Sequence, residues 1–360
     1  MDPQRTLVTA RSIVAEGLRG DSEDRLLADF CERLVAGGVP LLRASLAQRT
    51  LHPVVAGHQF EWWREKGAEP RAWSTEEAVA TAEGWRESPF MYMYKTGETR
   101  LRRKLVASDA PSEFPMLEEM RAQGVTDYFA LITDFGGSDT VGPFEGFTSS
   151  WATDRAAGFT DGEVALIEEL LPFLALAIKS SATYRVAEST LATYLGRDAG
   201  RRVLMGEIRR GSAETIRAVL WYADLKDFTR IADAAPRDQL VAMLNDYMGC
   251  MVDVVHDHGG NVLKFIGDGL LAIFRLTDEE EICATALDAA AEALTRVERL
   301  SEERATAGLP VTRFYLGLHL GDVMYGNIGS RDRLDFTVIG PAVNEVSRIE
   351  AMCRSLDRDL

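Results

Sequence analysis

Hydrophobic positions in the first fifty residues recur at helical spacing. Leu26, Leu27, Phe30 and Leu34 lie one to four positions apart, with charged residues between them, which is typical of an amphipathic helix. Residues 1 to about 50 are therefore predicted to be helical. From about 51 to 155 the apolar runs are shorter and turn residues separate them. The runs at 128–133 and 146–153 predict core strands, and 134–139 predicts a loop.

A long helix is predicted after these strands. Thr160 and Glu163 have the three-residue spacing of a capping box, and a broad apolar stripe follows over 164–178. This helical pattern ends at Gly196, and another is expected to begin at 203–208. Residues 181–215 are therefore predicted to form a helical connector.

The C-terminal half alternates between strand and helix patterns in a regular order. The predicted elements are a strand at 217–224, a helix at 236–258, a hairpin at 262–274, a helix at 278–303, strands at 312–320 and 333–339, and a helix from Pro341. Gly267, Asp268 and Gly269 are a strong turn signal inside the hairpin. This is the β-α-β-β-α-β order of ferredoxin-like folds, and the whole chain is predicted to be α+β.

Composition restricts the function classes. The 360 residues carry a net charge of −16, which disfavours nucleic acid and anionic membranes as partners. The most apolar stretch, 164–178, is too short to span a bilayer and contains two glutamates. The N-terminus lacks a signal-peptide pattern, and the four cysteines have no CxxC spacing. We therefore expect a cytoplasmic protein without a transmembrane segment.

Two aspartates stand where apolar strands give way to turns. Asp224 ends the run that begins at Trp221, and Asp268 is the centre of the hairpin turn. Neighbouring strands would bring these carboxylates together as ligands for hard divalent cations, and Mg²⁺ needs only one or two carboxylates besides substrate phosphates. Taken singly, each aspartate is equally well read as a turn or cap residue.

A third segment sharpens this interpretation. Asn344 and Arg348 are four residues apart on a predicted helix, so they share one face. An amide at this place hydrogen-bonds a sugar oxygen, and a guanidinium suits a phosphate whose charge grows in the transition state. Taken alone, such a pair is usually a solvated helix face.

Together the three segments resemble the class III nucleotidyl cyclases, over about 215 to 353. The resemblance implies that Asp224, Leu225 and Asp268 belong to a site for two Mg²⁺ or Mn²⁺ ions. It also implies that the turn through Phe228 and Thr229 presents backbone amides to the triphosphate.

The resemblance assigns the remaining site residues to the nucleotide. Lys264 and Thr337 fall at the two base-selecting positions, where guanylyl cyclases typically carry Glu and Cys, so this pair implies ATP. Asn344 would orient the ribose and Arg348 would steady the α-phosphate. The aspartates would come from one subunit and these four residues from the other, which implies a homodimer with shared active sites.

The implied reaction converts ATP to 3′,5′-cyclic AMP and pyrophosphate by two-metal catalysis. The general base stays open between water, a substrate phosphate and Asp224. Two other interpretations also stay open: a catalytically weak or silent nucleotide-binding regulatory module, and a cyclase with relaxed choice between ATP and GTP.

The N-terminal half resembles a GAF-type sensor domain, in its strand–loop–strand core and long exit helix. The predicted organisation is a GAF-like sensor or dimerisation domain at 1–180, the connector at 181–215 and the cyclase domain at 216–360. The N-terminal domain would regulate the catalytic domain and bind an effector that the sequence does not name. Trp62, Trp63, Trp85 and residues 91–94 either line a pocket or belong to a core or interface.

The chain departs from the family pattern at three places. Asp227 stands where many members carry a small residue, and Glu345 where an apolar one is common. The chain stops at Leu360, before the further strands and phosphate-binding lysine of many members, so either an incomplete catalytic domain or a reduced activity is expected. His256 and His258 mimic a metal pair but are expected to cap a helix end.

Overall fold

The computed structural model describes residues 3–74, 77, 86–106, 113–136, 146–275 and 278–360, and it divides into two compact units, Met1–Thr190 and Leu191–Leu360. The elements up to Leu195 are α1 (Pro3–Arg19), α2 (Glu23–Ala36), β1 (Arg43–Arg49), β2 (Val55–Trp63), β3 (Gly67–Ser74), α3 (Pro89–Thr96), β4 (Arg100–Lys104), α4 (Pro115–Ala122), β5 (Asp127–Asp134), β6 (Gly146–Thr153) and α5 (Asp161–Leu195), whose last residues pass the boundary between the units.

The N-terminal unit is built on one antiparallel six-stranded sheet with the order β3-β2-β1-β6-β5-β4. One apolar cluster joins this sheet to α1, α2 and the first half of α5. A second cluster joins it to α3 and α4. The predicted strands at 128–133 and 146–153 are β5 and β6.

The prediction of helix up to residue 50 is wrong for its last part, because 43–49 is the central strand β1. Because Ser45 and Gln48 are buried in this strand, its sequence lacks the alternation of polar and apolar residues that indicates a strand. Its alanines, leucine, glutamine and arginines are all good helix formers, and tertiary packing overrides that propensity.

The predicted capping box is confirmed at the start of α5. The N–H of Glu163 donates to Thr160 Oγ1 at 3.2 Å, and the N–H of Thr160 donates to Glu163 Oε2 at 2.7 Å. Trp62 is buried in the core, and the indole of Trp63 donates to Glu61 at 2.8 Å. Trp85 and residues 137–139 of the predicted loop lie outside the described residues.

A buried ion pair ties β4, β5 and the start of α5 together. The carboxylate of Asp127 is 0% exposed and accepts from Arg102 Nη2 at 2.7 Å. It also accepts from the N–H of Phe159 at 3.0 Å, while Arg102 Nη1 reaches Asp161 at 3.0 Å. The buried charge is thus paired and hydrogen-bonded, as burial requires.

The C-terminal unit follows the predicted element order. Its elements are α6 (Arg197–Leu204), β7 (Ala213–Leu225), α7 (Phe228–Ala234), α8 (Arg237–Asp257), β8 (Asn261–Ile266), β9 (Gly269–Phe274), α9 (Glu279–Thr306), β10 (Phe314–Gly329), β11 (Leu334–Ile339) and α10 (Pro341–Leu356). The strands form one antiparallel sheet with the order β11-β10-β7-β9-β8.

Each face of this sheet carries its own apolar cluster. The larger cluster packs α8 and α9 against β7, β9 and β10. The smaller joins α6 and α10 to residues of all five strands, β7 to β11. No helix in the described parts of the chain is long and apolar enough to cross a membrane.

Two sequence predictions in this unit need correction. Residues 203–204 end α6 and do not begin a helix. The strand predicted to stop at 320 continues to Gly329. A Cβ on Gly321 would lie 2.5 Å from Ala342 Cβ, so this glycine admits α10 against the strand and does not mark a turn.

Candidate active site

The two aspartates singled out in the sequence meet at one end of the sheet. Asp224 is the penultimate residue of β7 and is the register partner of Gly269, the first residue of β9. Asp268 precedes Gly269 in the β8–β9 turn, and Gly267 takes a left-handed φ of 64° there. The hairpin therefore delivers Asp268 directly to Asp224.

The two carboxyl groups are close enough to influence each other. Burial raises the pKa of Asp224, and the neighbouring Asp268 raises it further, whereas Arg354 opposes both effects. The pKa of the Tyr222 phenol is raised by burial and then by Asp224. The site thus holds acidic groups close together where they are partly shielded from water. A bound cation would offset the repulsion between their charges.

Two further charged residues belong to this corner and were missed in the sequence. Arg354 Nη2 donates to Asp224 Oδ2 at 2.7 Å and lies 3.8 Å from Glu350 Oε1. Glu350 is only 6% exposed, and its Oε1 has no hydrogen-bond partner. Burial raises the pKa of Glu350, with Asp224 as the next cause. Their spacing of four on α10 was the one available signal, and it resembles an ordinary helix-surface pair.

The donor set fits a hard divalent cation. Within the described residues no group of three or more His, Cys, Asp and Glu is arranged to hold a metal ion, but Mg²⁺ characteristically takes one or two carboxylates and completes its shell from phosphates and water. Asp224 and Asp268 supply those carboxylates. Leu225 has no ligand atom in its side chain, which is buried in the core, so this residue could contribute only its main-chain carbonyl oxygen.

The predicted base-selecting residues lie on β8 and β11. Lys264 Nζ donates to Asp335 Oδ2, and Asp335 is two residues from Thr337 on the same strand. Thr337 is 6% exposed, and its hydroxyl has no hydrogen-bond partner. A buried hydroxyl without a partner is costly, so this oxygen is available to a ligand. Asp335 was not singled out in the sequence.

Asn344 and Arg348 lie on the exposed side of α10, as their spacing predicted. The opposite side of the helix, with Val346 and Cys353, is buried. In the described part of the chain no hydrogen bond or ion pair links Asn344, Arg348, Lys264 or Thr337 to the two aspartates.

The predicted turn through Phe228 and Thr229 is the first turn of the seven-residue helix α7. Asp227 is its N-cap residue, with a left-handed φ of 55° and no hydrogen bond from its side chain to the helix; Asp is one of the few residues besides glycine that adopt this conformation. The first N–H groups of a helix have no partner within it. Phe228 is half-buried and Thr229 is exposed.

His256, His258 and His319 lie at a helix end or beside a glutamate. His256 is in the last turn of α8, and His258 caps that helix with Nδ1 3.0 Å from the Val254 carbonyl oxygen. His258 Nε2 lies 3.5 Å from Glu292. His319 Nε2 lies 2.7 Å from Glu345, so the glutamate that departs from the family pattern has a partner on β10.

Comparison with known families identifies this part of the chain. Residues 212–357 match the family described as adenylate and guanylate cyclase catalytic domain. A class III adenylate/guanylate cyclase catalytic domain is thus supported for the C-terminal unit. The predicted GAF-like character of the N-terminal unit has no such support.

Two adenylate cyclases are similar to part of this chain. An adenylate cyclase of Anabaena cylindrica is 34% identical over 41% of this chain and 29% of its own length. Adenylate cyclase 1 of Rhizobium meliloti is 30% identical over 47% of this chain and 26% of its own length. The chain therefore spans less than a third of either relative. The crystal structure of the guanylyl cyclase Cya2 has 29% identity and a TM-score of 0.37, and covers 39% of this chain and 72% of that chain.

Proposed function

We propose that the protein is an adenylate cyclase that converts ATP to 3′,5′-cyclic AMP and pyrophosphate. The observation that carries the proposal is the meeting of Asp224 and Asp268 at the β7–β9 register, inside the segment that matches the cyclase catalytic domain. This pair supplies the carboxylate oxygens that phosphoryl and nucleotidyl transfer uses to bind Mg²⁺ or Mn²⁺.

Asp224 and Asp268 would hold two divalent cations, which supply activation of the ribose 3′-hydroxyl and neutralisation of the leaving phosphates. The chain contributes the fixed positions of both carboxylates, because β7 and β9 are hydrogen-bonded neighbours at this place. Arg354 gives Asp224 a counter-charge. Glu350 adds a third acidic group behind the pair.

The remaining residues would bind and orient the nucleotide. Lys264 donates to adenine N1, and the buried hydroxyl of Thr337 accepts from the adenine amino group. Asn344 holds the ribose, and Arg348 meets the charge that develops on the α-phosphate. Guanine presents the opposite donor and acceptor pattern, so this pair favours ATP.

The active sites would be shared in a homodimer. Phe265 is 56% exposed and Ile266 42% exposed, directly beside Lys264 on β8, and such apolar side chains favour contact with a second copy. Mixing two inactive variants tests this. In a heterodimer of Asp224→Asn and Arg348→Ala chains, one site is intact, so the mixture should recover about a quarter of wild-type activity. No recovery after exchange of subunits would exclude shared sites.

The N-terminal unit would regulate the catalytic unit through an effector of unknown chemistry. The proposal comes from domain order, because the helices α5 and α6 lie between β6 and β7 in the chain. Removing residues 1–180 should change the basal rate, the dimerisation constant or an effector response. If all three were unchanged, regulation by this unit would be abandoned.

Production of cyclic nucleotide tests the central proposal. The full chain with Mn²⁺ and ATP should release cyclic AMP and pyrophosphate in equal amounts. Asp224→Asn should abolish both products and keep the fold. Asp288→Asn, at an exposed position of α9, is the matched control and should retain the rate. Full activity of Asp224→Asn would refute the metal assignment.

A second candidate is a nucleotide-binding module with weak or no turnover. Two ion pairs within the chain favour it: Arg354 is paired with Asp224, and Lys264 is paired with Asp335. The first pair must break before a cation can bind Asp224, and the second before Lys264 can bind an adenine ring. Tight binding of ATP without product, with Arg354→Ala equally inactive, would select this candidate.

A further inference from the structure

The hydroxyl of Tyr325 joins three elements of the C-terminal unit. Tyr325 lies on β10 and is 1% exposed. Its hydroxyl donates to Asp198 Oδ2 on α6 at 2.7 Å and accepts from Asn261 Nδ2 on β8 at 3.2 Å. The buried hydroxyl thus donates one hydrogen bond and accepts another. Removing either partner would leave a buried polar atom without a hydrogen bond, so the three groups stabilise one arrangement of these elements.

The contact with β8 lies on the same face as Lys264. A register irregularity between Val262 and Lys264 inserts one extra residue into β8, so Asn261 pairs with Ile273 and Lys264 pairs with Leu271. Ile273 and Leu271 both belong to the cluster on this side of the sheet. The bulge therefore places Asn261 and Lys264 on one face although they are three residues apart.

The contact with β11 lies beside Thr337. The rings of Tyr325 and Phe336 meet edge to face, with centroids 4.8 Å apart and an interplanar angle of 84°. Phe336 stands between Asp335 and Thr337 in the chain, and Asp335 is the partner of Lys264. Tyr325 thus contacts the strand of each base-selecting residue, through its hydroxyl on β8 and through its ring on β11.

Helix α6 completes the junction. Arg202 Nε donates to Asp198 at 3.0 Å, its guanidinium carbon lies 5.2 Å from the Tyr325 ring centroid, and Arg202 Nη2 bonds Glu214 at 2.9 Å. A Cβ on Gly196, the residue before α6, would lie 2.6 Å from the carbonyl oxygen of Val262. The helix is therefore seated directly on the bulged strand.

We propose that Tyr325, held by Asp198 and Asn261, is a positioning residue that sets the spacing between Lys264 and Thr337 and thereby the preference for adenine over guanine. The inference rests on the proposed function, because that function assigns the purine to these two residues. Loss of the hydroxyl removes the side-chain hydrogen bonds that link β10 to Asn261 of β8 and to Asp198 of α6, and leaves the Tyr325–Phe336 ring contact in place. Purine selection should then weaken while the metal site stays intact.

Tyr325→Phe in the full chain tests the inference. Tyr247→Phe is the matched control, since Tyr247 is also buried and its hydroxyl bonds Ser301 at 2.8 Å and the N–H of Thr312 at 3.0 Å, on the side of α8 and α9. We expect Tyr325→Phe to lower the ATP-to-GTP ratio of kcat/KM by roughly two- to tenfold, the worth of one hydrogen bond. Tyr247→Phe should lower the melting temperature without moving that ratio.

Asp198 provides a second route to the same question. Asp198→Asn keeps an oxygen that accepts from the Tyr325 hydroxyl, and should retain the wild-type ratio. Asp198→Ala should reproduce Tyr325→Phe, and the double variant should add nothing further. An unchanged ratio in both Tyr325→Phe and Asp198→Ala, or an equal change in Tyr247→Phe, would overturn the inference.

Binding of non-cyclisable ATP and GTP analogues separates this inference from the proposed function. If the wild type binds the ATP analogue more tightly than the GTP analogue but makes no cyclic nucleotide, the proposed cyclase activity is refuted. The inference about Tyr325 is then still tested by whether Tyr325→Phe lowers the ratio of the two affinities. A wild type that binds neither analogue would overturn both.

Discussion

Asp224 and Gly269 face each other as register partners across β7 and β9, and a Cβ on Gly269 would lie 3.3 Å from Asp224 Oδ1. The same Cβ would lie 2.8 Å from the carbonyl oxygen of Ala223. The hairpin can therefore bring Asp268 beside Asp224 only with glycine at the first position of β9.

Replacing this glycine should damage the site and the fold together. Gly269→Ala forces the hairpin away from β7, so we expect a lower melting temperature and loss of Mn²⁺ binding by calorimetry. Gly249→Ala is the control, because Gly249 lies within α8 with nothing within 4 Å of its added Cβ. That change should raise the stability by up to about 1 kcal/mol. Equal Mn²⁺ affinity in both variants would contradict the close approach.

Divalent cations should stabilise the C-terminal unit more as the pH rises. The pKa values of Asp224 and Glu350 are both raised in the folded protein, first by burial. Stability from such groups is fully present below their unfolded pKa, about 4, and declines as the pH rises through the raised folded pKa. With chelator, the melting temperature should therefore fall as the pH rises above about 4, and Mn²⁺ should restore it.

The variant Glu350→Gln distinguishes the contribution of Glu350 to this pH dependence from that of Asp224. It removes one raised group and should make the melting temperature in chelator less dependent on pH. A cation effect that is the same at every pH, or that persists in Asp224→Asn, would show that the ions bind elsewhere.

Exchanging the charge at residue 264 should change the preferred nucleotide. Lys264→Glu offers guanine an acceptor, but the new carboxylate would face Asp335, so Asp335→Asn is needed with it. We expect the double variant to lower the ATP-to-GTP ratio of kcat/KM by roughly tenfold or more. Lys66→Glu, at an exposed turn of the N-terminal unit, makes the same charge change and should leave the ratio unaltered. An unaltered ratio in the double variant would remove Lys264 from the purine site.

The N-terminal unit should depend on its buried ion pair. Asp127→Ala leaves the Arg102 guanidinium without its buried partner, and breaking such a pair typically costs about 3–5 kcal/mol. Asp154→Ala breaks the exposed pair with Arg64, at 2.9 Å, which is worth about 1 kcal/mol or less. Denaturant unfolding followed by near-ultraviolet circular dichroism would compare them. If both variants lost the same free energy of unfolding, the buried pair of Asp127 would contribute no more to stability than the exposed pair of Asp154.

The sequence predicts local features of this chain better than long-range ones. The hairpin turn at Asp268 and the capping box at Thr160 are set by neighbouring residues, and both are found. The strand β1 was missed because a central strand buried on both faces shows no alternation. The end of β10 was placed too early, at 320, because the helix that Gly321 accommodates begins twenty residues further along the chain.

The site was predicted only in part for the same reason. Asp224, Asp268, Lys264 and Thr337 stand at strand ends and edges whose places follow from the pattern. Glu350 and Arg354 have the spacing of an ordinary helix ion pair, and only the packing of α10 against β7 and β10 reveals that they face Asp224. Asp335 likewise gains its role from the approach of β8 to β11.

The extra residue in β8 places two consecutive side chains, Leu263 and Lys264, on the same side of the sheet. Deleting residue 263 would restore plain alternation and leave Lys264 opposite Leu271, on its present side. Inserting one more residue between Val262 and Lys264 without a second bulge would instead turn Lys264 away from Leu271. Evolution can therefore shorten this edge strand by one codon without reversing the lysine, whereas lengthening it by one would reverse every side chain that follows.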